Sequence, residues 1–379
     1  MTTVRVVHDI GDVDPGSWDT AVSRYGGSVY HRHAWLRSVE AAAMVDVEAR
    51  HLVLEADGRV LGVAPLYLTR RCPKLEMFRR HYVSAGIGDA SMLVGHSMYA
   101  QSSDVLAAGE RERRLLLQEV LALWQGEAAD QILAFPLVPE SSPLLAELCQ
   151  HGFTTGLLSC TNLLDTPWDS FAGYLAHLPG PKRRNIVKGI RRSERAGVTA
   201  EVRRGDADLD LLASMVRRTA ERHGSPVFFD VGFLAAVVKE FGPAAVTVTV
   251  YGRGKPVLSC LALDAGGEVA PWCIGFDYDS LEEFGQYNYL YSELIRFTVE
   301  NGRKQVNFGR STYYIKRKYG CRQRPVYAAM AAPPTARDSV ETWISAIDTH
   351  ARAELYKVGL PAPAVRHGTT EGYAMVAQR

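Results

Sequence analysis

The 379 residues set 43 lysines and arginines against 42 aspartates and glutamates, a formal charge of +1, with 47% apolar and 22% charged side chains. That is the balance of a soluble globular protein, and the length suggests two domains of ordinary size plus a tail. Near-neutrality gives no case for a nucleic-acid partner, so only local patches can argue one, and no apolar run reaches membrane-spanning length.

In chain order, 4–7 reads as a strand and 17–25 and 33–43 as helices, the second with Trp35, Val39 and Ala43 at helical spacing. Runs 47–54 and 60–68 are expected to form a hairpin through Asp57-Gly58, a pair that accepts the positive φ angles of a tight turn. A Gly-rich passage follows, then a helix over 112–124, a strand at 132–135, a helix at 142–150 and a strand at 153–164. The order then repeats in outline. Helices are expected at 168–177, 182–195, 209–222 and 231–241, strands at 246–250, 257–263 and 269–274, a long helix at 287–301, and a strand at 306–308. Leu54-Glu55-Ala56-Asp57-Gly58 before the run at 60–66 resembles Val250-Tyr251-Gly252-Arg253-Gly254 before 257–263. Two copies of one α/β unit account for this pattern. The expected domains are 1–164 and 165–332, with a tail at 333–379 carrying a helix over 339–356 and packing on the body.

Residues 1–9 hold one arginine and no signal-like apolar segment, so a cytoplasmic location is expected. Cys72, Cys149, Cys160, Cys260, Cys273 and Cys321 include no Cys-x-x-Cys interval, which argues against a zinc site or a disulfide framework. His31 and His33 lack an acidic ligand nearby, so no metal is expected there. There is no Gly-x-Ser-x-Gly elbow and no Gly-x-x-x-x-Gly-Lys-Ser/Thr loop, which leaves a serine hydrolase and a nucleoside triphosphatase unsupported.

The stretch that carries chemistry lies near the end: Asn307, Phe308, Gly309, Arg310, Ser311, Thr312, Tyr313, Tyr314, Ile315, Lys316, Arg317, Lys318, Tyr319, Gly320. Gly309 lets the backbone leave a short strand, and a run of donors and aromatic rings follows with no acid to neutralise it. Such a place suits an anion or a polarised carbonyl. A second stretch, residues 181–195, holds seven positive charges and one negative. Ile186, Val187, Ile190 and Glu194 fall along one side, leaving Lys182, Arg183, Arg184 and Lys188 among the residues that cover the rest. A phosphate-rich partner suits it, and so does water on a solvated helix face. In a third, Asp277 and Asp279 follow a strand, and Tyr287, Asn288, Tyr289 and Tyr291 open a helix.

Phe308, Gly309, Tyr314, Lys316 and Gly320 resemble the closing signature of the Fem-like transferases and their relatives with a BioF2-like acetyltransferase domain. Ile315 stands where an aromatic is common in that signature. The resemblance implies two tandem GNAT-type (acyl-CoA N-acyltransferase) α/β domains and transfer of an acyl or aminoacyl group to an amine. It implies that Lys316 stabilises the oxyanion of a tetrahedral intermediate, a contribution on the order of 3 kcal/mol for one aimed donor. Tyr313, Tyr314, Arg310, Asn288 and the basic residues Lys182, Arg183, Arg184 and Lys188 are the expected substrate-binding set. No tightly bound cofactor is expected, and the donor is acyl-CoA or aminoacyl-tRNA. No Gln/Arg-x-x-Gly-x-Gly/Ala loop opening a helix, the place that ordinarily holds the coenzyme A pyrophosphate, is found. A reading from another class is a non-catalytic polyanion-binding protein on the same scaffold.

Overall fold

The computed structural model describes residues 2–42, 46–71, 73–81, 91–126, 131–224 and 228–363. Ala43, Cys72 and the Gly-containing passage 84–88 lie outside them. The chain divides into two compact units, Met1–Cys160 with Arg324–Arg379, and Thr161–Gln323.

The elements run β1 (Thr2–Val7), α1 (Pro15–Arg24), α2 (His33–Glu40), β2 (Val47–Ala49), β3 (His51–Ala56), β4 (Arg59–Ala64), β5 (Leu66–Thr69), α3 (Pro73–His81), β6 (Met92–Gly95), β7 (Leu106–Ala107), α4 (Glu110–Gly126), β8 (Ile132–Pro139), α5 (Pro143–Gln150) and β9 (Thr154–Asp165). They continue with α6 (Phe171–His177), α7 (Gly180–Arg195), β10 (Val198–Arg204), α8 (Leu209–Arg222), α9 (Val231–Phe241), β11 (Ala245–Gly252), β12 (Lys255–Ala265), β13 (Glu268–Phe276), α10 (Leu281–Phe284), α11 (Gln286–Glu300), β14 (Gln305–Asn307), α12 (Tyr313–Lys318), β15 (Arg322–Ala331) and α13 (Arg337–Lys357).

In the first unit the two runs expected as single strands are each broken. The first interrupts at Arg50, whose N–H bonds to Leu66 O, and the second at Pro65, which has no N–H to give a ladder. The break sends β3 and β4 into the sheet β1-β3-β4-β7, while β2 and β5 join the edge of the ladder β15-β8-β6-β5-β2. The hairpin turn itself is as the sequence requires, with Asp57 and Gly58 at φ 51° and 72°, and Arg253-Gly254 repeats it at 51° and 78°. Within that ladder β6 and β8 run parallel, and an added Cβ on Gly95 would lie 2.1 Å from the Phe135 ring. Here only glycine lets the ring lie against the strand. Helix α13 buries Trp343, Ile344 and Ile347, and its Asp348 accepts from Leu157 N–H at 2.8 Å.

The core of this unit holds several histidines. His51 accepts Leu66 N–H at Nδ1 and donates from Nε2 to Glu40 at 2.8 Å, while His33 donates to Ile10 O at 2.9 Å. His31, 1% exposed, accepts from Ser28 N–H and sets its ring edge against His96, centroids 4.9 Å apart. Burial pushes the His31 pKa down to about 3 and that of His96 well below the usual imidazole value. The unfolded chain therefore binds more protons than the folded one below about pH 6.5, so the stabilisation is full above that pH and is lost as the pH falls. From His31 alone we expect a loss of about 2 kcal/mol between pH 7 and pH 5. Urea unfolding at the two pH values checks this, and His31→Asn, which does not titrate, flattens the dependence.

The second unit carries the ladder β10-β11-β12-β13-β14-β9, antiparallel throughout except between β13 and β14. That parallel ladder is short: only Glu268 faces Gln305 and Val269 faces Val306, after which β13 continues to Phe276 while β14 ends at Asn307. The core under this region consists of Leu290, Tyr291, Leu294 and Ile295 from α11 with Val246, Val248 and Val250 from β11. Helix α8 lies so close to β13 that a Cβ on Gly275 would fall 2.4 Å from the backbone of Met215 and Val216.

Candidate active site

Polar and strained residues gather where the parallel ladder stops. From Asn307 the chain turns through Phe308 and Gly309, and Gly309, Ser311 and Thr312 all take left-handed backbone at φ 66°, 62° and 51°. Two non-glycine residues in that region cost of order 1 kcal/mol or more each, so the surroundings must fix them. Asn307 Oδ1 accepts from Gly309 N–H at 3.0 Å. Asn162 of β9, wholly buried, donates from Nδ2 to Gly309 O at 2.8 Å and to Ser311 O at 3.2 Å, and its Oδ1 accepts from Gln323 at 2.9 Å.

The turn delivers α12, where the sequence suggested only a run of donors. Lys316 is not on a solvated basic turn: it is 3% exposed, and its Nζ donates to Arg310 O at 2.6 Å. Burial pushes its pKa down to about 7, with Arg310 acting in the same direction and nearby Cys321 opposing. An amine near neutrality in an enclosed, electropositive place carries a proton that it can hold or share at physiological pH.

Around it, Tyr313 is buried, while Tyr314 is 63% exposed with Lys318 Nζ 4.3 Å over its ring. Tyr319 closes the helix, stacking on Tyr291 at 5.3 Å, which stacks in turn on Phe308 at 4.6 Å. The Tyr319 hydroxyl donates to Asn288 O at 2.9 Å, tying the start of α11 to the motif. Lys182, in the first turn of α7, donates to Arg317 O at 3.0 Å. The fold thus ties Asn288, through Tyr319, and Lys182, through Arg317, to the segment that carries Lys316, although sequence spacing leaves them far apart.

The remaining basic residues lie along α7. Arg183, Arg184, Lys188, Arg191, Arg192 and Arg195 are exposed, and with Val187 they line a recess of about 590 Å³. The inner side of this helix is made by Ile186 and Ser193, whose hydroxyl donates to Phe284 O at 2.7 Å. Glu194, expected beside Ile186, is exposed instead. Asp279 is exposed and Asp277 gives its backbone carbonyl to Gln286, so neither carboxylate is held at Lys316 by a hydrogen bond. Arg37 pairs with Asp9 in the first unit at 2.8 Å, and Arg222 lies over Tyr278 at 4.6 Å.

Sequence reasoning passed over Asn162 and Glu268. The Glu268 carboxyl, pushed up to about 7 by burial, sits 3.5 Å from Asn307 Nδ2. Asn162, followed by Leu163 and Leu164 in the span 153–164 expected as a strand, was the one readable hint. Among the described residues no three His, Cys, Asp or Glu side chains are grouped to hold a metal, and no helix is long and apolar enough to cross a membrane.

Residues 181–317 match the family described as an acetyltransferase (GNAT) domain, a span that runs from the first turn of α7 to the residue after Lys316. The α/β architecture is a tandem GNAT-type fold. Among solved structures, FemX is similar at 13% identity and a TM-score of 0.62, over 86% of this chain and 96% of that one. L-PGS from Bacillus licheniformis is similar at 15% and 0.55, over 92% and 99%. A tandem GNAT protein from the clavulanic acid biosynthesis pathway is similar at 11% and 0.50, over 88% and 99%. No match to a curated protein was found.

Proposed function

We propose that the chain is an N-acyltransferase that moves an acyl or aminoacyl group from an activated donor to an amine acceptor. The observation that carries this reading is the enclosure of Lys316: a nearly buried amine, 2.6 Å from Arg310 O, just past the point where the β13–β14 ladder ends. The acceptor's neutral amine attacks the donor carbonyl directly, and the carbonyl oxygen takes up negative charge as the C–N bond forms. Lys316, as ammonium, stabilises that oxygen by a preorganised hydrogen bond in a water-poor site. The leaving thiol or ribose hydroxyl takes the proton shed by the amine. Tyr313, Tyr314, Arg310 and Asn288 form the binding edge, and the GNAT-type fold supports this assignment.

The exposed cations of α7 suit a donor that carries phosphates, either an acyl-CoA or an aminoacyl-tRNA. Thermal unfolding with acetyl-coenzyme A and, separately, with an aminoacylated tRNA distinguishes the two: the true donor raises the midpoint, and ribonuclease abolishes turnover only in the tRNA case. Failure of both donors to bind sinks the reading. Replacing Arg184 and Lys188 together by glutamate is expected to weaken donor binding by about tenfold or more at low salt and to flatten its salt dependence. Titration at two salt concentrations checks it. The same helix supports the alternative of polyanion binding without catalysis, for which Lys316→Ala leaves function intact.

A further inference from the structure

The loop between β14 and α12 alternates its carbonyls. Those of Gly309 and Ser311 are both taken by Asn162 Nδ2, at 2.8 and 3.2 Å, and Gly309 O also accepts Asn162 N–H at 2.9 Å. The carbonyl between them, Arg310 O, takes the Lys316 ammonium at 2.6 Å. Asn162 is itself fixed from both sides, accepting Phe308 N–H at its backbone oxygen and Gln323 Nε2 at Oδ1. It is 0% exposed, between Thr161 and Leu163 in β9. A buried carboxamide with donors and acceptor all engaged costs little to keep and a good deal to lose. Its engagement here is with a turn that holds two left-handed non-glycine residues, Ser311 and Thr312.

We propose that Asn162 is a positioning residue: by capturing the carbonyls on either side of Arg310 it turns the Arg310 carbonyl toward Lys316 and holds the lysine side chain in its enclosed orientation. The catalytic consequence rests on the function proposed above, whereas the conformational claim concerns only this chain. A clamp of this kind explains how a loop with unfavourable backbone angles stays in one conformation, since each released carbonyl would otherwise seek water. It also accounts for a fully buried carboxamide in a strand 147 positions away from the loop that it holds.

The test uses the full chain and needs no substrate. Competitive labelling of lysines with acetic anhydride across pH, read by peptide mass spectrometry, gives the reactivity and titration midpoint of Lys316. In the unaltered protein Lys316 is expected to label slowly, with a midpoint near 7. In Asn162→Leu the Arg310 carbonyl swings away and the lysine reaches water; we expect its midpoint to move up by about two units and its limiting reactivity to rise about tenfold. Asn162→His, which keeps one ring donor, restores part of the unaltered behaviour, and Gln323→Met, which removes only the outer partner, gives a smaller change in the same direction. If Asn162→Leu does not fold, the other two variants carry the test. Folded variants whose Lys316 keeps the original midpoint and rate overturn the proposal. Should Lys316→Met retain turnover while these shifts occur, the catalytic reading falls and the positioning of the lysine stands.

Discussion

Lys316→Met is expected to lower kcat by about 100- to 1000-fold with whichever donor stabilises the protein, the loss typical of removing one preorganised oxyanion donor. The same substitution is expected to make the second unit more stable. Burial holds the lysine pKa at about 7, far below its ordinary value near 10.5. The unfolded chain thus binds the proton more tightly between those pH values, so the lysine costs folding free energy, fully below about pH 7 and not at all above about pH 10.5. A methionine of similar shape removes that cost but leaves Arg310 O without its donor, which offsets part of the gain. We expect a net increase of about 2 kcal/mol at pH 7, shrinking as the pH rises. Urea unfolding at pH 7 and pH 10, beside a turnover assay, reads both effects. Loss of activity with loss of stability contradicts the account, because it makes Lys316 a structural residue.

The largest expected loss of stability lies elsewhere in the second unit, at Asp264. Its side chain is 1% exposed, takes a two-pronged bond from Arg303 at 2.6 and 3.0 Å, and accepts from Arg204 at 2.8 Å. The carboxylate therefore joins β10, the end of β12 and the turn that leads into β14. Removing one partner of a buried pair costs roughly 3–5 kcal/mol when the other is left enclosed. Here the arginines that remain are about one-third exposed, at 37% and 34%, and regain water in part. For Asp264→Ala we accordingly expect about 3 kcal/mol, and a fall of roughly 10 °C in the unfolding midpoint of that unit. Arg303→Met, which leaves the carboxylate buried with one partner, is expected to cost at least as much. A change under about 1 kcal/mol in both variants excludes a structural clamp. Calorimetry resolves the two units if they unfold separately.

Helices announced themselves where a cap and an apolar stripe coincide. The spans 209–222 and 231–241 agree with α8 and α9 because Asp208 and Asp230 each accept the N–H three residues on, at Leu211 and Phe233. Both Gly-containing hairpins were legible for a similar local reason, the positive φ their turns demand. Strands fared worse where periodicity is masked. β10 has only Val198 buried among charged neighbours, and the splitting of 47–54 and 60–68 depends on which sheet each half joins. Helix α12 escaped notice because it is six residues long and begins from a left-handed Thr312 with no side-chain cap.

For the candidate site, the resemblance around Lys316 supplied the residue but not its surroundings. The turn and helix that carry Lys316 are tied to β9, α7 and α11 through Gly309, Arg317 and Tyr319, and such contacts carry no mark in the local sequence. Tyr319 reaches Asn288 across 31 positions and Lys182 reaches Arg317 across 135. On α7 the helical wheel placed Ile186 and Ile190 on the core side, but Val187 lines the basic recess and Ser193, which bonds to Phe284 O, occupies the place given to Glu194. A small hydroxyl that satisfies a backbone carbonyl fits such a place more cheaply than a carboxylate.

The central claim is that acyl transfer occurs at Lys316, past the end of the β13–β14 ladder. It is met most directly by determining the structure with an unhydrolysable acyl donor, the thioether analogue of an acyl-CoA or an amide-linked aminoacyl-RNA. The account predicts the donor carbonyl oxygen within about 3 Å of Lys316 Nζ, in place of its bond to Arg310 O. A donor seated in the first unit, or one whose carbonyl lies far from a lysine still closed on Arg310, contradicts it.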